Sequence, residues 1–96
     1  MERTLSGKQR HYLRGLGHHL EPVVQVGKEG ITDGLVGATA AALAEHELIK
    51  VRVGEHAGDR HDIAAALAAA AELVGVVGRT LLLYRAREEE PKIVLP

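Results

Sequence analysis

A short run rich in β-branched residues, Pro22-Val23-Val24-Gln25-Val26, ends in Gly27-Lys28-Glu29-Gly30, and after Ile31-Thr32 a helical pattern begins. The rest of the chain has to be built around that strand–loop–helix unit. Two glycines can hold the backbone at positive φ and leave no Cβ in the way of an approaching group. The following helix has unpaired N–H groups and a partial positive charge at its first turn. Strand, glycine loop and helix N-terminus together form a place where backbone donors can hold a phosphate oxygen. Lys28, at the loop tip, adds a mobile cation. A tight turn that needs glycine only for its geometry satisfies the same spacing, because a GxxG alone is a weak motif.

Taken from its start, the chain first reads as a helix from Gly7 to about His19. Ser6 is the expected N-cap, with Gln9 completing a capping box. Helical spacing puts Tyr12, Leu13, Leu16 and Leu20 on one arc and Arg10, His11, Arg14 and His18 on the other. The first strand is Pro22 to Val26. The second helix runs from about Asp33 to Glu45, capped by Thr32 or Asp33, with Val36, Ala40, Leu43 and Glu47 at helical spacing. Its many alanines allow close approach to a sheet. The second strand is Leu48 to Val53, where Ile49, Val51 and Val53 alternate with Lys50 and Arg52, so one sheet face is expected to be wet and basic there. A third helix starts near Asp59 or Arg60, with Ile63, Leu67 and Ala70 inward. The third strand is Glu72 to Val77. Gly78-Arg79 suits a type II′ hairpin turn. The fourth strand, Thr80 to Arg85, carries Leu81-Leu82-Leu83, which suits a central position. The order is α-β-α-β-α-β-β, an α/β fold with a mixed sheet. Its strand order does not follow from these rules.

Ninety-six residues make one domain with a small core. Residues 86–96 are expected to be a tail that is loosely held or adds to a neighbouring surface. There is no cysteine, so disulfides and thiolate metal sites are excluded. No apolar run has membrane-spanning length, and the polar start is not a signal peptide, so the expected setting is cytoplasmic, away from any membrane. The formal net charge is −1, but the charges are segregated. Arg3, Lys8, Arg10 and Arg14 lie in a stretch without an acid, which allows one basic face on a near-neutral chain. The candidate cations are Lys8, Arg10, Arg14, Lys28, Lys50, Arg52 and Arg79. Tyr12 and Tyr84 are the only aromatics, and both are expected in the core.

Four blocks in order carry a resemblance: Leu5-Ser6-Gly7-Lys8-Gln9-Arg10 with Tyr12-Leu13-Arg14, then Val26 to Thr32, then Glu47 to Val53, then Val77 to Arg85. The chain resembles a stand-alone CRM domain (chloroplast RNA splicing and ribosome maturation) of the bacterial YhbY type over Leu5 to Arg85. The resemblance implies an RNA-binding module, residues 1–85, associated with precursors of the large ribosomal subunit. It also implies a four-stranded mixed sheet in the order 1-2-4-3, similar to the C-terminal domain of translation initiation factor three. The family's GxxG loop falls on Gly27, Lys28, Glu29 and Gly30, with an acid, Glu29, at the tip. Phosphates would meet the loop amides and Lys28, with Lys8, Arg10 and Arg14 extending the track. With so few aromatics, shape and backbone recognition of structured RNA is favoured over base reading.

No nucleophile–base–orienter set and no metalloprotease spacing appears, so no enzyme, small-molecule substrate, cofactor or metal is expected. The six histidines lack a recognised ligand spacing. A protein-interaction module using Ile93-Val94-Leu95 is the rival reading. A monomer is expected.

Overall fold

Ser6 starts the first helix as its sequence requires. In the computed structural model, which describes residues 5–96, Gln9 N–H donates to Ser6 Oγ at 3.1 Å and Ser6 N–H to Gln9 Oε1 at 3.0 Å. Arg3 lies outside the described residues. Helix α1 spans Gly7–Gly17, ending before His19. Strand β1 (Pro22–Val26), helix α2 (Asp33–His46), strand β2 (Leu48–Val53), helix α3 (Arg60–Leu67), strand β3 (Glu72–Val77) and strand β4 (Thr80–Tyr84) follow. The element order and the sheet order β1-β2-β4-β3 are those expected. β1 runs parallel to β2, and β4 is antiparallel to both β2 and β3. The triple-leucine strand is therefore central, where both faces are covered. Gly78 has φ +58° and Arg79 has no positive φ, as a type II′ turn requires.

The two faces of the sheet build two cores. Val26, Ile49, Val51, Val53, Leu81 and Leu83 pack with Leu43 of α2 and Ile63 and Leu67 of α3. On the opposite face Leu13 of α1 packs with Leu48, Val74, Leu82 and Tyr84. A fully buried aliphatic side chain contributes about 1.5–3 kcal/mol, so these few residues dominate the stability of a small domain.

Two expected helix faces are rotated, and the inner stripe of α3 holds at Ile63 and Leu67 but not at Ala70. α1 buries Leu13 and Gly17, while Tyr12 and Leu16 stay 41% and 37% exposed. The helix comes closest to the sheet at Gly17, where an added Cβ would lie 2.9 Å from a Leu82 methyl. The absence of a side chain thus marks the inward side, and a hydrophobic pattern cannot register it. α2 buries Thr39 and Leu43, and Val36 is 43% exposed. Most of its alanines face outward as well. A helix that is apolar nearly all round has no preferred side of its own. Thr39 is tolerated inside because its hydroxyl donates to Leu35 O at 2.8 Å. Ala70 lies past the end of α3 and is exposed.

The ends of β1, β2 and the β3–β4 hairpin are tied together. Gly54 N–H donates to Val26 O at 2.9 Å, and Arg79 Nε–H donates to Val53 O at 2.9 Å with a second bond from its guanidinium to Gly54 O. An added Cβ at Gly54 would lie 3.0 Å from that same Val26 carbonyl. Gly54→Ala should therefore destabilise the domain by about 1–2 kcal/mol. Urea unfolding measures this, and an unchanged midpoint would mean the strand ends yield freely.

Residues 86–96 add to the surface of the domain through one anchor. Glu47 is fully buried between α2 and β2 with φ +64°. Its carboxylate accepts from Arg87 N–H at 2.9 Å, Ile93 N–H at 2.8 Å and Lys92 N–H. Its own carbonyl accepts from Arg85 N–H at 2.8 Å. Ile93 and Leu95 pack against the Leu13 cluster.

Candidate nucleic-acid interface

The glycine loop projects from the end of β1 with Gly27, Lys28 and Glu29 exposed and Gly30 half-buried. Gly30 N–H donates back to Gly27 O at 2.9 Å, closing a tight turn, and Gly30 has φ +69°. That φ is costly for any residue with a Cβ. An added Cβ there would also meet Ala57 O at 3.4 Å, so the turn leans on the loop after β2. The Lys28 and Glu29 N–H groups have no partner within the described residues. Thr32 Oγ1 caps α2 by accepting from Leu35 N–H at 3.0 Å. The loop thus presents open amides and one cation beside a helix N-terminus, with the acids Glu29 and Asp33 close in sequence.

A second basic region lies on the α1 face of the sheet. α1 covers only part of that face, and beside it opens a groove of about 580 Å3. Its walls carry Arg14 and His18 from α1 and Lys50 and Arg52 from β2, over Thr80 and Leu82, and no carboxylate lines it. Arg14 and His18 are one helical turn apart, and Lys50 and Arg52 share a strand face, so backbone periodicity alone converges them. Gln25 of β1 is the register partner of Arg52, which links the strand leading into the glycine loop to this groove.

The other candidates are placed differently. Arg10 Nη1 donates to Leu73 O at 2.6 Å and Val74 O at 3.4 Å. β3 changes register there, between Leu73 and Gly75, so Arg10 satisfies the carbonyls of a bulge. Arg79 is held by the carbonyls of Val53 and Gly54. Both guanidinium groups are half-buried and bonded to backbone carbonyls of the fold. Lys8 is exposed on α1 and outside the groove. Among the described residues the single ion pair is Glu45–His46, at 3.9 Å. The side chains of Lys8, Arg14, Lys28, Lys50 and Arg52 make no hydrogen bond or ion pair there. No three of His, Asp and Glu converge in a metal-binding group among the described residues, and no helix is long and apolar enough to cross a membrane.

Tyr84 is buried as expected, whereas Tyr12 is exposed on α1. Sequence reasoning also placed Glu47 on a helical stripe and missed its anchoring role. The available signal was the lack of a glycine where α2 must turn into β2.

The chain is similar to known proteins. The chain is 42% identical over 95 residues to Probable RNA-binding protein YqeI of Bacillus subtilis, covering 96% of this chain and 99% of that protein. It is 45% identical over 96 residues to an RNA-binding protein of Haemophilus influenzae, covering 97% and 96% respectively. The solution structure of the hypothetical protein SAV1595 from Staphylococcus aureus superimposes with a TM-score of 0.78 at 36% identity, covering 97% of this chain and 100% of that one. The model of the CRS1/YhbY (CRM) domain matches residues 5–85. With a family match over most of its length and relatives above 40% identity, the chain belongs to the CRS1/YhbY (CRM) domain family.

Proposed function

We propose that this protein binds structured ribosomal RNA in the cytoplasm, through the Gly27–Gly30 loop and the adjoining basic surface, during assembly of the large ribosomal subunit. The observation that carries the reading is that five of the candidate cations, Lys8, Arg14, Lys28, Lys50 and Arg52, have side chains with no hydrogen bond or ion pair among the described residues. Three of them surround or adjoin a groove free of carboxylates, and Lys28 stands at a loop with open amides. Such a surface attracts a polyanion despite the net charge of −1, because a local field depends on nearby charges and not on the sum. The RNA-binding names of the relatives support the same class of ligand. Arg10 and Arg79 support the surface from beneath by holding the β3 bulge and the hairpin end.

The rival protein-interaction reading loses its main feature. Of the apolar tail residues it would use, Ile93 and Leu95 are half-buried against the Leu13 cluster and Val94 alone is 78% exposed.

Two measurements test the proposal. Binding to large-subunit ribosomal RNA fragments should weaken steeply with salt. Lys28→Ala and Arg52→Ala should each reduce that slope by about 0.7–0.9, the value of one lost phosphate contact. In cell extract, the protein should co-migrate with a large-subunit precursor on a sucrose gradient. A salt-independent affinity would remove RNA backbone contact from the reading, and migration only with free protein would remove its assembly role.

A further inference from the structure

Ser, Thr and Gln side chains are scarce in this chain, and the fold uses most of them. Ser6 and Gln9 share the cap of α1, Thr32 caps α2, and Thr39 bonds Leu35 O. Thr4 lies outside the described residues. The two that remain are Gln25 and Thr80, whose side chains make no hydrogen bond among the described residues. Both stand in one row, because the register runs Gln25–Arg52–Thr80–Val77 straight across β1, β2, β4 and β3. Val26, Val51, Leu81 and Val76, one position along, pack on the α2 and α3 side. Alternation therefore turns the row to the face on which α1 packs. α1 covers the other end of that face, at Leu48, Val74 and Tyr84. The row itself is open: Gln25 and Arg52 are exposed, Thr80 is half-buried and Val77 is 81% exposed. Arg52 and Thr80 line the carboxylate-free groove with Arg14 and Lys50, and Gln25 stands beside Arg52 on the strand that enters the glycine loop.

We infer that this row reads the ribose of the RNA: a phosphate sits on Arg52, and a 2′-hydroxyl of the same backbone bonds Gln25 or Thr80. The inference rests on the RNA-binding reading and adds to it the group that separates RNA from DNA. Phosphates are common to both nucleic acids, so neither a cation nor a loop amide tells them apart. The 2′-hydroxyl does, and it both donates and accepts. Lys and Arg side chains only donate, whereas a glutamine amide and a threonine hydroxyl do both. Position agrees with chemistry. Neighbouring strands lie about 4.8 Å apart, so Gln25 and Thr80 flank Arg52 at that spacing on either side. In RNA the 2′-hydroxyl is on the carbon beside the one that bears the 3′-phosphate. A phosphate held at Arg52 therefore brings a hydroxyl toward one flank or the other.

The test compares one large-subunit ribosomal RNA hairpin with the same hairpin methylated at every ribose 2′-oxygen. Methylation keeps the phosphates and removes the hydroxyl donor. Wild type should bind the unmodified hairpin roughly tenfold more tightly, with one salt slope for both, since the phosphate contacts are shared. Thr80→Val matches in shape and Gln25→Met in length, and neither alters charge. Each should weaken the unmodified hairpin by a factor of about five, the scale of one neutral hydrogen bond, and leave the methylated hairpin nearly unchanged. Arg52→Ala should weaken both hairpins alike and reduce both salt slopes. If wild type binds the two hairpins equally and Arg52→Ala still acts on both, the groove takes phosphates alone; this inference falls and the RNA reading stands. A preference that survives both neutral variants would place the hydroxyl contact elsewhere and also overturn it. Binding of neither hairpin would end the RNA reading itself. An oligoglutamate that binds as tightly as the hairpin, and loses affinity with Arg52→Ala, would assign the row to an acidic protein segment, against the inference. The wild-type comparison requires no substitution and decides the matter even where a variant folds poorly.

Discussion

Glu47→Gln is expected to lower stability by about 2–3 kcal/mol, which for a domain of this size corresponds to a melting temperature lower by roughly 10–20 °C. The substitution preserves shape and removes charge. The native carboxylate accepts three backbone N–H groups from the tail. A glutamine offers one acceptor oxygen and turns an NH2 toward donors that have nothing to accept with. The chain also holds Glu47 at φ +64°, a conformation that a non-glycine residue keeps only when its surroundings enforce it. With the anchor weakened, the amides of Arg87, Lys92 and Ile93 should exchange hydrogen far faster than those of β4. Thermal unfolding and hydrogen exchange measure both effects. Unchanged protection at those amides would show that the tail is held by Ile93 and Leu95 alone.

The same anchor gives a pH dependence of known sign. Burial pushes the Glu47 carboxyl up. The N–H groups of Arg87, Ile93 and Lys92, together with the Arg87 charge, outweigh this and hold it below its ordinary value of 4.5. The folded state therefore favours the ionised form more than the unfolded chain does. Its contribution is complete at neutral pH, begins to fall near 4.5, and is lost as the pH drops through the lower folded-state value. Wild type should lose its advantage over Glu47→Gln across that acidic range. A constant difference between the two from neutral to strongly acidic pH would contradict the assignment.

Lys28→Asp should cut RNA affinity by about a hundredfold, while the circular dichroism spectrum and melting temperature stay the same. Juxtaposed like charges cost several kcal/mol at an interface. Here the new carboxylate would stand beside Glu29 and against a phosphate. The fold should not notice, because Lys28 is exposed and makes no contact that the domain needs. The loss should exceed that of Lys28→Ala, since reversal adds repulsion to the missing attraction. Retained binding would mean that the glycine loop serves geometry only and that the α1-face groove holds the RNA without it.

How much of this was legible beforehand differs by level. β1, β2 and β3 have the expected bounds, since β-branched runs closed by glycine or proline leave little freedom. The Ser6 and Thr32 caps follow from local hydrogen bonding. The sheet order came through the family resemblance, as no rule of periodicity yields it. Helix faces were misread wherever the inward residue was small or polar, at Gly17 and Thr39. Candidate cations were identified by type, but type does not say which are free. Arg10 and Arg14 stand one turn apart on the same helix, yet one supports a strand bulge and the other lines a groove.

The amino-acid sequence by itself determined the elements, the glycine turn and the family, because these depend on neighbours a few residues apart: spacing, caps and backbone freedom. Tertiary structure alone decided which cationic side chains are bonded to the fold and that the tail is anchored on Glu47. Each of these joins groups distant in the chain, and their hydrogen bonds and burial come into being only when the sheet has brought those groups together.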